Sequence, residues 1–87
     1  MYRVRLLDAA SKDLAKLDKP VARRIVDRVR WLAENFGEAH MEALTGDLEG
    51  LFKLRVGDHR VVYELLHEDR SIIIHMIGHR REIYRRR

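Results

Sequence analysis

Polar and apolar side chains alternate from Tyr2 to Leu7, the two-residue period of a half-buried strand. Asp8 then offers a carboxylate at the start of a short helix, whose apolar positions Ala10, Leu14 and Leu17 are spaced by four and three. Asp18-Lys19-Pro20 breaks that helix. Pro20 suits the first turn of a second one, because the N–H it lacks has no partner there. Val21, Ile25, Val29, Leu32 and Phe36 continue the helical period, and Ala22, Val26 and Ala33 widen the stripe. Gly37 is placed to end this helix. A polar connection follows from Glu38 to Gly50, with a helical turn expected around Met41 to Leu44. The period then shortens again. Leu51 to Val56, Arg60 to His67 and Ser71 to Gly78 read as three strands joined by turns short enough for hairpins.

The pattern predicts a single α+β domain spanning residues 1–87, in the order β-α-α-β-β-β. Two N-terminal helices should pack on one face of a mostly antiparallel sheet. Alternation also sorts the faces of that sheet. Phe52, Leu54 and Val56 belong on the helix side, which puts Lys53 and Arg55 on the other, about 7 Å apart along the strand. Arg60 shares parity with Val62 and Glu64, opposite Val61, Tyr63 and Leu65. The run Ile72 to Ile77 is apolar enough for a strand inside the sheet, with His75 semi-buried within it.

Charge sharpens this picture once the chain is divided. Residues 1–50 carry nine Lys/Arg and nine Asp/Glu, whereas residues 51–87 carry nine and five, so the whole excess of +4 lies in the second part. A neutral front and a basic back suggest a polyanion-binding surface built by the C-terminal strands. Cysteine is absent, which excludes disulfides and thiolate metal sites and fits a reducing cytoplasm, the expected location. No apolar stretch approaches membrane-spanning length, and the first residues have no apolar signal-like core, so no membrane partner is expected.

Lys53, Arg55, Arg60 and Arg80 on one surface would repel one another, and a phosphodiester offsets that repulsion. Metal-dependent cleavage needs several converging carboxylates, and this face offers mainly Glu64, so neither metal nor cofactor is expected. The histidines His40, His59, His67, His75 and His79 lack a zinc-binding spacing. His59 and His79 each precede an arginine of the cluster, which makes them candidate auxiliary acids or bases. Arg81, Arg85, Arg86 and Arg87 add candidate contacts to a nucleic-acid backbone. A plain RNA-binding surface would carry the same charge.

Two segments, "KLRVGDHRVVYE" ending at Glu64 and "GHRREIY" ending at Tyr84, together resemble the RelE/ParE toxin superfamily, and the helices in front of them agree with it. The resemblance implies a microbial-ribonuclease-like fold and a cognate RelB-like antitoxin, with promoter DNA touched only through that antitoxin. The RelE branch cleaves mRNA in the ribosomal A site by attack of a 2′-hydroxyl on the adjacent phosphate. The ParE branch inhibits DNA gyrase without enzymatic chemistry. Carried over to this sequence, the RelE pattern implies Tyr84 as general base and Arg80 as general acid. Lys53, Arg55 and Arg60 would hold the phosphate, and nearby cations are expected to lower the Tyr84 pKa. Arg55 stands where that branch frequently has lysine, and His79 precedes Arg80 where lysine also occurs.

Overall fold

A computed structural model describes residues 1–85 of the protein. The candidate residues Arg86 and Arg87 lie outside them. The chain forms β1 (Arg3–Leu6), α1 (Asp8–Ala15), α2 (Lys19–Glu34), β2 (Glu42–Ala43), β3 (Phe52–Val56), β4 (His59–Leu66) and β5 (Ser71–His79). Short 3₁₀ turns occupy Phe36–Glu38, Gly46–Leu48 and Ile83–Arg85. The strands make one sheet in the order β1-β5-β4-β3-β2, antiparallel except for the parallel β1–β5 pair. The expected order therefore holds, with one strand added.

That strand is β2, where a helical turn was expected. Met41 to Leu44 is instead extended, with Glu42 opposite Lys53, Ala43 opposite Phe52, and the Leu44 N–H donating to the Leu51 carbonyl. The helical turn lies further on, at Gly46–Leu48. Two helix ends also differ. Leu7, not Asp8, is the extended residue before α1, and Asp8 lies in its first turn, where a negative charge meets the helix dipole. α2 ends at Asn35, whose backbone leaves the helical region, so Gly37 falls within the following 3₁₀ turn.

The core lies between the helices and one face of the sheet. Ala10, Ile25, Val29, Leu32 and Ala33 meet Leu54, Val56, Val61, Tyr63, Ile72, Ile74 and Ile77 there, as the two periodicities require. β1 stops at Leu6, which leaves the Ile77 N–H beyond its reach. Asp13 of α1 accepts that N–H at 3.0 Å and fastens helix to strand. The β3–β4 turn is the two-residue Gly57-Asp58, and Gly57 has φ +59°, a conformation glycine adopts without a Cβ penalty. Register slips by one residue between β4 and β5, where Val62 pairs with Met76 and Tyr63 with Ile74. His75 is the extra residue of that bulge.

Candidate functional site

The face away from the helices is built by β3 and β4. Alternation puts Lys53 and Arg55 on it, and register places Arg55 directly opposite Arg60. Like charges in such a cross-strand pair destabilise a sheet, so the pair needs counter-charge or a ligand. Part of the counter-charge comes from Glu42. One of its oxygens lies 3.1 Å from Arg55 Nε and the other 3.7 Å from Lys53 Nζ. Arg60 turns its guanidinium onto its own hairpin, donating to the carbonyls of Gly57 at 3.0 Å and His59 at 2.8 Å. These bonds leave donors on Arg55 and Arg60 able to reach an anion, since each guanidinium has five N–H groups.

Tyr84 reaches the same region from the terminal turn. The turn packs back on β5 with Ile83 fully buried. The Tyr84 hydroxyl is buried without a hydrogen-bond partner, although the residue as a whole is partly exposed. Burial raises its pKa above the ordinary tyrosine value. Arg60 and Arg55 pull the other way, and Glu42 adds to the rise. The cations thus act in the expected direction but lose to desolvation, so the pKa is raised rather than lowered. A buried, unpaired phenol is a donor in want of an acceptor.

Lys53, Arg55, Arg60 and Tyr84 therefore share one electrostatic neighbourhood. Arg80 is tied to the turn of the hairpin that carries Arg55 and Arg60. Its backbone N–H donates to the Asp58 carbonyl at 2.8 Å, and its Nε lies 3.8 Å from an Asp58 carboxylate oxygen, at the tip of the β3–β4 hairpin. Its side chain is half-exposed. His59 and His79 pair across β4 and β5 with their rings 5.7 Å apart. By parity with Val61 and Ile77 they belong to the helix side, so they are not brought to the cations. His79 Nδ1 also accepts the Arg81 N–H at 3.2 Å. Arg81 and Arg85 are exposed. Glu64 lies on the cation face as expected and is engaged by His75, 2.8 Å away. Among the described residues no three His, Asp or Glu side chains come together in a metal-binding group.

Glu42 is the residue that sequence reasoning missed. Its signal was a brief alternation, Met41-Glu42-Ala43-Leu44, too short to read against the polar connection around it.

Comparison with known proteins agrees with this architecture. Residues 4–84 match the family described as the ParE toxin of type II toxin–antitoxin systems, parDE. Toxin RelG of Mycobacterium tuberculosis is 31% identical, with 98% of each chain covered. Among solved structures, the RelBE2 toxin–antitoxin complex of M. tuberculosis superposes with a TM-score of 0.81 at 26% identity, covering 90% of both chains. The archaeal RelE–RelB complex of Pyrococcus horikoshii gives 0.72 at 30% identity, covering 91% of this chain and 94% of that one.

Proposed function

Since the chain belongs to the ParE toxin family of type II toxin–antitoxin systems, within the RelE/ParE superfamily, we propose that it arrests growth as a ribosome-dependent endoribonuclease. It would cut mRNA in the A site. The observation that carries this reading is the cross-strand Arg55–Arg60 pair with Lys53 beside it, on the face that Tyr84 folds back to meet.

In the proposed reaction the 2′-oxygen attacks the adjacent phosphorus and the bond from phosphorus to the 5′-oxygen breaks. The products are a 2′,3′-cyclic phosphate and a 5′-hydroxyl end. Lys53, Arg55 and Arg60 hold the phosphate and stabilise the charge that grows on it, a contribution on the order of 10²–10³ in rate per well-placed donor. One proton must leave the 2′-hydroxyl and one must reach the departing 5′-oxygen. Tyr84 is proposed to take the first and Arg80, released from Asp58, to supply the second. Because burial holds the Tyr84 phenol neutral, it accepts that proton only as its own is passed on, and Glu42 is the nearby carboxylate suited to receive it. The partners proposed are the ribosome and mRNA, and a RelB-like antitoxin of the kind bound to the archaeal relative. Promoter DNA would be met only through that antitoxin.

The test is to induce wild type, Arg80→Ala and Tyr84→Phe side by side and to map mRNA ends. Wild type should leave messages cut within codons, and both variants should lose cutting and toxicity. Growth arrest with intact messages would overturn the reading. The family's own description favours a second one, gyrase inhibition in the ParE manner. That reading predicts inhibited supercoiling, with both variants still toxic.

A further inference from the structure

A second feature adjoins the cation face. β2 is only two residues long, so beyond Lys53 the outer edge of β3 has no neighbouring strand among the described residues. α2 also packs against β3. The result is a cleft of about 260 Å³ lined by Arg28, Trp31, His40, Glu42, Lys53 and Arg55. Trp31 is 39% exposed, although a large aromatic ring gains most from burial. The Arg28 guanidinium lies over the ring, 4.9 Å from its centroid, and fixes the indole as part of the cleft wall.

We propose that this cleft is a nucleobase subsite, in which Trp31 stacks on the base next to the phosphate held by Lys53 and Arg55. The proposal rests on the reading of the cation face as RNA-binding, and adds to it the means of selecting a base. Stacking on an aromatic ring is the commonest way a protein holds an unpaired RNA base. The uncovered β3 edge adds backbone N–H and C=O groups, and His40 adds a ring nitrogen, which are the donors and acceptors that read a base edge. Three cations against one carboxylate give the cleft the charge of a nucleic-acid site. Because Lys53 and Arg55 line both features, a nucleotide whose phosphate they hold brings its base to this mouth.

Trp31 is the single tryptophan, so its emission reports on this site alone. The probe is a 2′-O-methylated RNA trinucleotide, which cannot be cut because its 2′-oxygen is blocked. Ribose 5-phosphate and inorganic phosphate serve as baseless controls. Added to the full chain, the trinucleotide should change Trp31 emission saturably, and the controls should not. Trp31→Ala should weaken binding of the labelled trinucleotide about tenfold. Trp31→Phe should keep most of the affinity, and Arg5→Gln, at the far edge of the sheet, should change nothing. Emission unchanged while the trinucleotide binds, no binding at all, or wild-type affinity in Trp31→Ala would each overturn the subsite. So would an emission change that appears only with a protein antitoxin. Messages cut by a protein that fails this test would leave the nuclease reading standing. The expected titration without any cutting would sink the nuclease reading and keep the subsite.

Discussion

Glu42 is both the counter-ion of the resting site and the group an RNA phosphate must displace. Replacing it with glutamine keeps its size and removes its charge, which frees Lys53 and Arg55 for an incoming anion. Glu42→Gln should therefore bind uncleavable RNA more tightly and cut more slowly, a split between affinity and turnover that single-turnover kinetics would resolve. Equal losses in both would argue against this double role. Tyr63 gives a second residue-scale expectation. Burial and the Glu42 charge push its pKa up to about 12, so the fold favours the neutral phenol. The sign follows from linkage: this stabilisation is complete below pH 10 and is lost as pH rises from 10 to 12, by up to about 3 kcal/mol. Tyr63→Phe should unfold at higher alkaline pH than wild type when followed by circular dichroism. The alternation of β3 was enough to put Lys53 and Arg55 on one face. The direction of the Tyr84 shift was not legible, because desolvation depends on a turn folding back, and charge spacing alone carries no information about that.

At the scale of elements, long periodic segments were legible and short ones were not. α2, with five stripe positions and a proline at its start, and the three C-terminal strands emerged within a residue or two of their expected bounds. β2 escaped because two residues cannot display a period; its existence depends on the partner strand across from it. The bulge at His75 was hidden for a related reason, since an extra residue shows only once both strands are aligned. The hairpin that carries Arg55 and Arg60 depends on Gly57. A Cβ there would meet Arg24 Nη1 at 3.1 Å, and φ +59° already disfavours any other residue. Gly57→Ala should destabilise the fold by about 1–2 kcal/mol and lower activity further than its stability loss explains, because it moves the arginine pair. Asp13→Ala should cost about 2 kcal/mol in urea unfolding by leaving the Ile77 N–H without its carboxylate. Activity per folded molecule should stay intact, as the bond lies on the other face.

For the whole molecule, the split between a neutral front and a basic back runs along the chain and does not divide helices from sheet. β1, α1 and α2 carry eight Lys/Arg against four Asp/Glu, and the acids that balance them lie in the connections and β2; the β3–β4 hairpin carries three Lys/Arg against two Asp/Glu. RNA binding should depend on salt chiefly through the phosphate-holding cations Lys53, Arg55 and Arg60 of the hairpin. Three phosphate contacts predict a slope of about −2 in log affinity against log salt, at roughly 0.7 per contact for a single strand. Alanine at Lys53, Arg55 or Arg60 should each flatten that slope by one contact, and glutamine at Arg3 or Arg5 should leave it unchanged.

The parallel pairing of β1 with β5 has a consequence in time. Arg3 finds its partner in Ser71 and Leu6 in Ile74, so the strand made first waits for one made near the end of the described chain. The β3–β4 hairpin that bears the cations is local and can form early, but the sheet beneath it cannot close until β5 arrives between β4 and β1. Assembly is thus ordered by contacts that are distant along the chain, which are slow to form. During synthesis the charged hairpin can thus form before the scaffold that aims it is complete.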